Sequence, residues 1–318
     1  MSFFVSVTSH SNFGGTKMDQ TARMALKIRV IHVIDDLLAA GKIQRDLEGK
    51  VPAVISDVDG TVGKWQLLIS LLFMIADVFH EKRHIIQRLK DAVMDYNMYN
   101  EPFENVMMVA LQILPKATEG LGMDMVRHLA AVVACRDLSM VYAFPKALLN
   151  CHAANGPKDR CLIIAITGTP QFLADPFCKA LHFDIPIGCE YKVDGSDRLT
   201  GERDEAMAIR KEEPLEVLCE CGVRPVFSLV DSMTDLPLVL AVPFGNALGI
   251  NPKPPLMEYI RKHPEQRITA VSDHRSTGVQ FYRANDRGGL DEVTRWEALP
   301  VGIACALPLL RGELVLRG

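Results

Sequence analysis

The chain has 318 residues, 48% hydrophobic and 23% charged, with a formal net charge of −4. That is enough chain and apolar content to bury a large core. The mild negative charge and the lack of a basic tract exclude a nucleic-acid binder, and the most lipid-like stretch, Leu67 to Phe79, is too short to span a bilayer and carries Asp77.

Residues 1–17 contain Ser, Gly and Phe but no basic start and no sustained apolar core, so they read as a loose leader and not as a signal peptide. From Asp19 to Ala40 the residues Met24, Ile28, Ile31, Ile34 and Leu38 recur at helical spacing, and Gly41 stops the pattern. This N-terminal unit, residues 1–47, is expected to pack on the core or on a second copy of the chain, which makes a homodimer a partner to test.

The next segment, Val51-Pro-Ala-Val-Ile-Ser-Asp-Val-Asp-Gly-Thr-Val62, is an apolar, β-rich run ending abruptly in Asp57-x-Asp59-Gly60-Thr61. Two like charges so close cost energy unless a cation or a reacting phosphoryl group offsets them. From Trp65 the pattern turns helical, over Trp65–Phe79, His80–Tyr96, Glu104–Leu114 and Met123–Val133, followed by Ala143–Ala154 and a stop at Asn155-Gly156-Pro157. A second apolar run, Cys161-Leu-Ile-Ile-Ala-Ile-Thr-Gly-Thr-Pro170, ends in Thr167. A helix from Phe172 to Leu181, polar turns around Lys192–Glu202 and a helix near Lys211–Cys221 lead to a third run, Pro225 to Pro237, ending in Asp231 and Asp235. Ala247–Ile250 and Ile268–Val271 are short strand candidates; a Gly/Arg/Asp-rich loop around 284–290 and an apolar tail, Ala298–Leu316, complete the chain. Continuous apolar runs are the pattern of strands buried on both faces of a parallel sheet, and such sheets bind ligands outside the carboxyl ends of their strands. Three such strands with an acid or hydroxyl at the tip therefore predict one shared site.

Asp-x-Asp-Gly-Thr, a strand ending in Thr, and Asp-Ser-x-x-Asp-Leu-Pro, in that order, resemble the haloacid dehalogenase superfamily, and most of all its phosphoserine-phosphatase-like branch. Thr167-Gly-Thr-Pro170, Asp194-Gly195, Leu199-Thr-Gly-Glu202 and Asn251-Pro252 add to the resemblance, which covers about residues 50 to 260. It implies an α/β fold, a Rossmann-like parallel sheet with helices on both faces and an inserted helical cap. The core would be residues 48–63 and 146–265, the cap 64–145, and 266–318 a C-terminal extension.

The resemblance also implies chemistry. Asp57 would be the nucleophile, forming an acyl-phosphate, and Asp59 the general acid and base. Dehalogenases, which attack carbon, lack a carboxylate at that second position, whereas this chain has one. Thr167 would bind phosphate with the backbone amides of Gly168 and Thr169, and Lys211, at a helix start beside Arg210, would offset the charge. Asp57, the backbone carbonyl of Asp59, and Asp231 would hold Mg²⁺, with Asp235 a further ligand through water or an orienter. Val230 stands where the family often has Gly. The expected activity is Mg²⁺-dependent hydrolysis of a small phosphomonoester in the cytoplasm. A phosphotransferase using the same aspartyl-phosphate, or a non-catalytic binding protein, are the alternatives. Trp65, Leu67, Leu68, Phe73 and Met74 are either the cap's own core or a surface for an apolar leaving group.

Two patterns are weighed against metal sites. His80-Glu81-Lys82-Arg83-His84 matches His-Glu-x-x-His, but its middle positions are charged and no third ligand is evident, so it reads as a solvated helix. Cys219-x-Cys221 lacks a second pair, and the eight cysteines read as free thiols in a reducing compartment.

Overall fold

In the computed structural model the structure describes residues 18–64, 66–99, 103–156, 159–203, 210–274 and 278–293. The first apolar run forms strand β1 (Val51–Ser56) and the second forms β2 (Leu162–Pro170). Strand β3 (Ile185–Cys189) follows, then a small ribbon of β4 (Tyr191–Val193) and β5 (Leu199–Arg203). The third apolar run is β6 (Val223–Val230), and β7 (Ala247–Ile250), β8 (Thr269–His274), β9 (Gly278–Ala284) and β10 (Leu290–Glu292) complete the set. Eight of these make one sheet in the order β10-β9-β8-β7-β6-β1-β2-β3, with β8 through β3 parallel and β9 and β10 antiparallel. The segment after 266 therefore continues the sheet, and the loop expected at 284–290 is the turn between its last two strands. The tail at 298–316 and Trp65 lie outside the described residues.

Helices cover both faces. Helix α1 (Gln20–Ala39) is capped by Asp19, whose Oδ1 accepts from Ala22 N at 2.7 Å. It buries Leu26, Val30 and Ile34 with Ala53 and Ile55 of β1. Met24, Ile28 and Ile31, expected on the packed face, are exposed. The helix is apolar on more than one side, so spacing alone selects no single stripe, and the face that meets the sheet runs through Leu26, Val30 and Ile34. On the opposite face, α6 (Ala143–Ala154) packs Phe144 and Leu148 against Val54, Leu229 and Leu248.

Between β1 and α6 lie α2 (Leu67–Val78), a 3₁₀ turn at His80–Lys82, α3 (Arg83–Tyr99), α4 (Phe103–Thr118) and α5 (Met123–Asp137). Leu67, Leu68, Ile69, Leu71 and Leu72 are all at most 2% exposed, in one apolar cluster with α4, α5 and helix α7 (Gln171–Ala180). Phe73 and Met74 pack against that cluster, so the apolar residues of this block are its own core. His80 and His84 are both exposed, one in the 3₁₀ turn and one in α3, and His84 Nδ1 lies 2.7 Å from Glu81 O.

The β4–β5 ribbon belongs to this helical block by contact. Leu199 accepts from Gly120 N at 2.7 Å and donates to Leu121 O at 2.9 Å, while Arg203 Nη1 donates to Leu111 O at 3.2 Å. At Gly201, with φ +81°, a Cβ would sit 3.2 Å from Pro115 O, so a side chain there would press on the α4 backbone.

Candidate active site

The tips of β1 and β6 bring the carboxylates together. Asp57 lies one residue past β1 and still donates its N–H to Leu229 O of β6 at 3.0 Å, so the strand pairing fixes where its side chain projects. Asp231 lies one residue past β6, and Asp235 ends the short 3₁₀ turn Met233–Asp235 that follows. One carboxylate oxygen from each of the three lies within 4.8 Å of the others, and all three residues are buried. Asp59, Thr167 and Lys211 are at the same edge, so six of the expected side chains converge from β1, β2, β6 and the start of helix α8 (Glu212–Glu220).

Lys211 bridges two of the carboxylates. Its Nζ lies 2.5 Å from Asp57 Oδ1 and 2.5 Å from Asp235 Oδ1, and it is itself buried. The neighbouring Arg210 faces Glu213 instead, at 3.8 Å. Asp235 also serves as a cap: its Oδ2 accepts from Ser232 N at 3.1 Å, Ser232 Oγ at 2.9 Å and Asp231 N at 3.3 Å. One of its oxygens thus holds the turn and the other holds the lysine.

Residues outside the expected set complete the cluster. Thr61 Oγ1 lies 3.2 Å from both Asp57 Oδ2 and Asp231 Oδ1, and its one proton can serve only one of them at a time. Lys253 Nζ is 3.2 Å from Asp231 Oδ2, and Lys253 N donates to Asp231 O at 2.8 Å. Thr61 was within reach of sequence reading, as the last residue of the Asp-x-Asp-Gly-Thr motif. Lys253 carries no such signal: it becomes part of the site only because β7 pairs with β6.

Gly60 sets the closeness of the two strand tips. Its φ is +88°, and a Cβ there would lie 2.3 Å from Asp231 Oδ2. Gly60→Ala is expected to push the Asp231 carboxylate aside and to cost about 10²-fold in turnover, by analogy with other small misplacements of reacting groups. A loss confined to thermal stability, with kcat intact, would show that Asp231 does not have to stand where it does.

The electrostatics follow from burial. Burial pushes the Asp57 carboxyl up to about 8, with Asp235 and Asp231 adding to the rise and Lys211 opposing it. Burial likewise pushes Asp231 up to about 6, against the pull of Lys253. In Asp235 the same burial is outweighed by Lys211 and by the hydrogen bonds from Ser232 and the Asp231 amide, so its carboxyl stays below the usual range. Lys211 and Lys253 are both raised: burial alone would lower them, but the carboxylates more than offset it.

Asp59 stands apart from the triad. Its Oδ1 accepts from Leu67 N, the first residue of α2, at 3.0 Å, and its Oδ2 accepts from Thr169 Oγ1. Burial raises it, with those hydrogen bonds pulling the other way. Thr167 is buried, and its Oγ1 accepts from Thr169 N at 3.2 Å. β2 runs on to Pro170 and α7 starts at Gln171, so the Thr169 amide is engaged by its own motif.

No protein-family model matches the chain, and no curated protein sequence matches it. Solved structures resemble it in fold. One is a protein of unknown function from Bordetella pertussis Tohama I, 18% identical over 69% of this chain and 98% of that one, with a TM-score of 0.50. A phosphoserine phosphatase structure titled as a phospho-aspartyl intermediate analogue is 17% identical over 66% of this chain and 90% of its own, with a TM-score of 0.40. A cytosolic 5'-nucleotidase IIIB bound to cytidine is 8% identical over 89% and 92%, with a TM-score of 0.46. The parallel sheet with helices on both faces, the helical insertion after β1 and the acidic strand tips are the α/β layout that the resemblance to the haloacid dehalogenase superfamily implies.

Proposed function

We propose that this chain is a divalent-cation-dependent phosphomonoester hydrolase that works through an aspartyl-phosphate on Asp57. The carrying observation is the buried group in which Lys211 touches both Asp57 and Asp235 while Asp231 lies opposite. An arrangement of three carboxylates that raises two of their proton affinities is poorly suited to a purely structural role, and well suited to a cation and a phosphoryl group.

The fit to Mg²⁺ rests on the donors. The cluster offers carboxylate oxygens and no sulfur or imidazole, which suits a hard cation that keeps waters. Asp57, Asp231 and the carbonyl of Asp59 would hold it, with Asp235 close behind. Bound there, it would neutralise phosphoryl charge and draw Asp57 into its ionised form.

The chain's own residues then divide the work. The Asp57 carboxylate attacks phosphorus and the bond to the ester oxygen breaks. Asp59 gives its proton to that oxygen, which leaves as the alcohol. Asp59 then takes a proton from water as the water attacks phosphorus, inorganic phosphate departs and Asp57 is regenerated; such acid–base help contributes on the order of 10²–10⁴ in rate. Thr167 and Gly168 would hold phosphoryl oxygens, and Lys211 would offset the charge that accumulates between Asp57 and phosphate.

The cation reading has a signature independent of turnover. Asp57 and Asp231 are raised in the folded chain, so the stability tied to their protonated forms is present at low pH. It is lost as pH climbs through about 6 and about 8. Mg²⁺ needs the ionised forms, so its stabilising effect should be small at pH 5 and large at pH 8. Thermal melts with and without Mg²⁺ at the two pH values measure this, with Asp231→Asn as the variant that loses the response. An equal shift at both values, or a response to Zn²⁺ alone, would sink the oxygen-ligand site.

A further inference from the structure

We infer that Thr169 is a positioning residue for Asp59: its hydroxyl holds the carboxyl in one orientation while that group gives up a proton and then takes one back. This rests on the hydrolase reading above and adds to it the residue that aims the acid.

Asp59 is held at both oxygens. Oδ1 accepts from the backbone N–H of Leu67 at 3.0 Å, and Oδ2 accepts from the Thr169 hydroxyl. The two holds differ in chemistry. A backbone N–H can only donate, so it favours Oδ1 as the oxygen that stays without a proton. A hydroxyl both donates and accepts, and its hydrogen rotates to suit. The Thr169 hydroxyl therefore donates to Asp59 when the carboxyl is ionised, and accepts from it when Oδ2 carries the proton. A lysine or a second amide in that place would serve the ionised form alone. A group that is acid and then base within one turnover needs a partner that can do both.

The fold sets this hydroxyl at Asp59. Ile166 of β2 pairs with Ile187 of β3 and Pro170 pairs with Cys189, so four steps along β2 are matched by two along β3 and the register shifts between them. Such bulges recur beside active sites, where they re-aim a side chain. The irregular stretch here is Thr167–Thr169. Pro170 fixes its exit through a locked φ, and the bond from Thr169 N to Thr167 Oγ1 at 3.2 Å fixes its interior. Opposite, on β3, a Cβ at Gly188 would lie 2.6 Å from Thr169 O, so glycine there makes room for the displaced β2 backbone. Thr169 is 3% exposed, and among the described residues its hydroxyl donates to Asp59 alone. Packing by itself would be served as well by valine, which has nearly the same shape.

The test compares two esters of similar shape on the full chain with Mg²⁺. The leaving anion of 4-nitrophenyl phosphate is stable without a proton, whereas that of 4-nitrobenzyl phosphate is not. The ratio of their kcat/KM values reports the step in which the alcohol leaves, because the later hydrolysis of the aspartyl-phosphate is common to both. Asp59→Asn sets the scale, on the order of 10²–10⁴ against the benzyl ester. Thr169→Val keeps the bulk and removes the hydroxyl. It should lower the benzyl-to-phenyl ratio by about 10- to 10²-fold, the scale of one hydrogen bond to a charged group. Thr169→Ala should lower it equally although it is smaller, and Thr169→Ser should restore most of the ratio. Equal losses on both esters, or no recovery in Thr169→Ser, would make Thr169 a packing residue and overturn the inference alone. A wild-type chain that hydrolyses neither ester would sink the hydrolase reading and this inference with it.

Discussion

Asp57→Asn is expected to release no phosphate above background, a loss of at least about 10³-fold, on the scale seen when a covalent nucleophile is removed. The fold should survive. An amide has nearly the shape of a carboxyl, and Lys211 would keep its contact with Asp235 at 2.5 Å. A second readout carries a sign. The folded chain favours protonated Asp57 up to about pH 8, whereas the ordinary value is 3.8, so ionising it costs stability progressively as pH rises between those values. Asn cannot ionise. In metal-free protein the variant should therefore melt no lower than wild type at pH 5 and clearly higher at pH 9. Residual turnover near the wild-type rate would remove Asp57 from the nucleophilic role, whatever the melts show.

Lys211→Ala is expected to lower turnover by about 10²- to 10³-fold, as for loss of one preorganised charge at a reacting group, while Arg210→Ala changes it little. Lys211 is buried between two carboxylates, and Arg210, about a third exposed, faces Glu213. Removing the lysine leaves Asp57 and Asp235 facing one another without a cation, so melting should drop as well. Lys211→Arg separates the two effects. It keeps a charge, but a planar fork cannot reproduce one ammonium between two oxygens, so stability should return further than rate. Steady-state kinetics and melts of the three variants decide; the opposite ranking of positions 210 and 211 would reassign the cation.

The apolar strands of the core and their tips were readable from composition and spacing, because a fully buried parallel strand admits little except Val, Ile, Leu and Ala. Val51–Ser56 and Ala247–Ile250 are such cases, as is the run up to Thr167. Amphipathic ribbons were not. Ile185–Cys189 is short, and Leu199–Arg203 and Gly278–Ala284 alternate with polar residues as turns do, so their pairing partners decide their state. The same limit applied to the site. Residues inside one contiguous motif, such as Asp57 and Asp59, announced themselves, and Thr61 of the same motif could have been added to them. Lys253 depends on which strands lie side by side, and local sequence does not encode that order. Thr169 carries a further contact that its motif did not announce, a hydroxyl that donates to Asp59.

The backbone bonds that join Leu199 to Gly120 and Leu121 bear on engineering by transplantation. A recombinant swap that moves only the residues between β1 and α6 would leave the ribbon at 191–203 facing a foreign helix end, with Gly201 no longer matched to Pro115. The transferable module is discontinuous, two stretches of chain separated by α6, β2, α7 and β3. Chimeras that exchange both stretches should be soluble where single-segment chimeras precipitate, and library designs that shuffle the helical insertion alone would lose folded members for want of thirteen residues lying further along the chain.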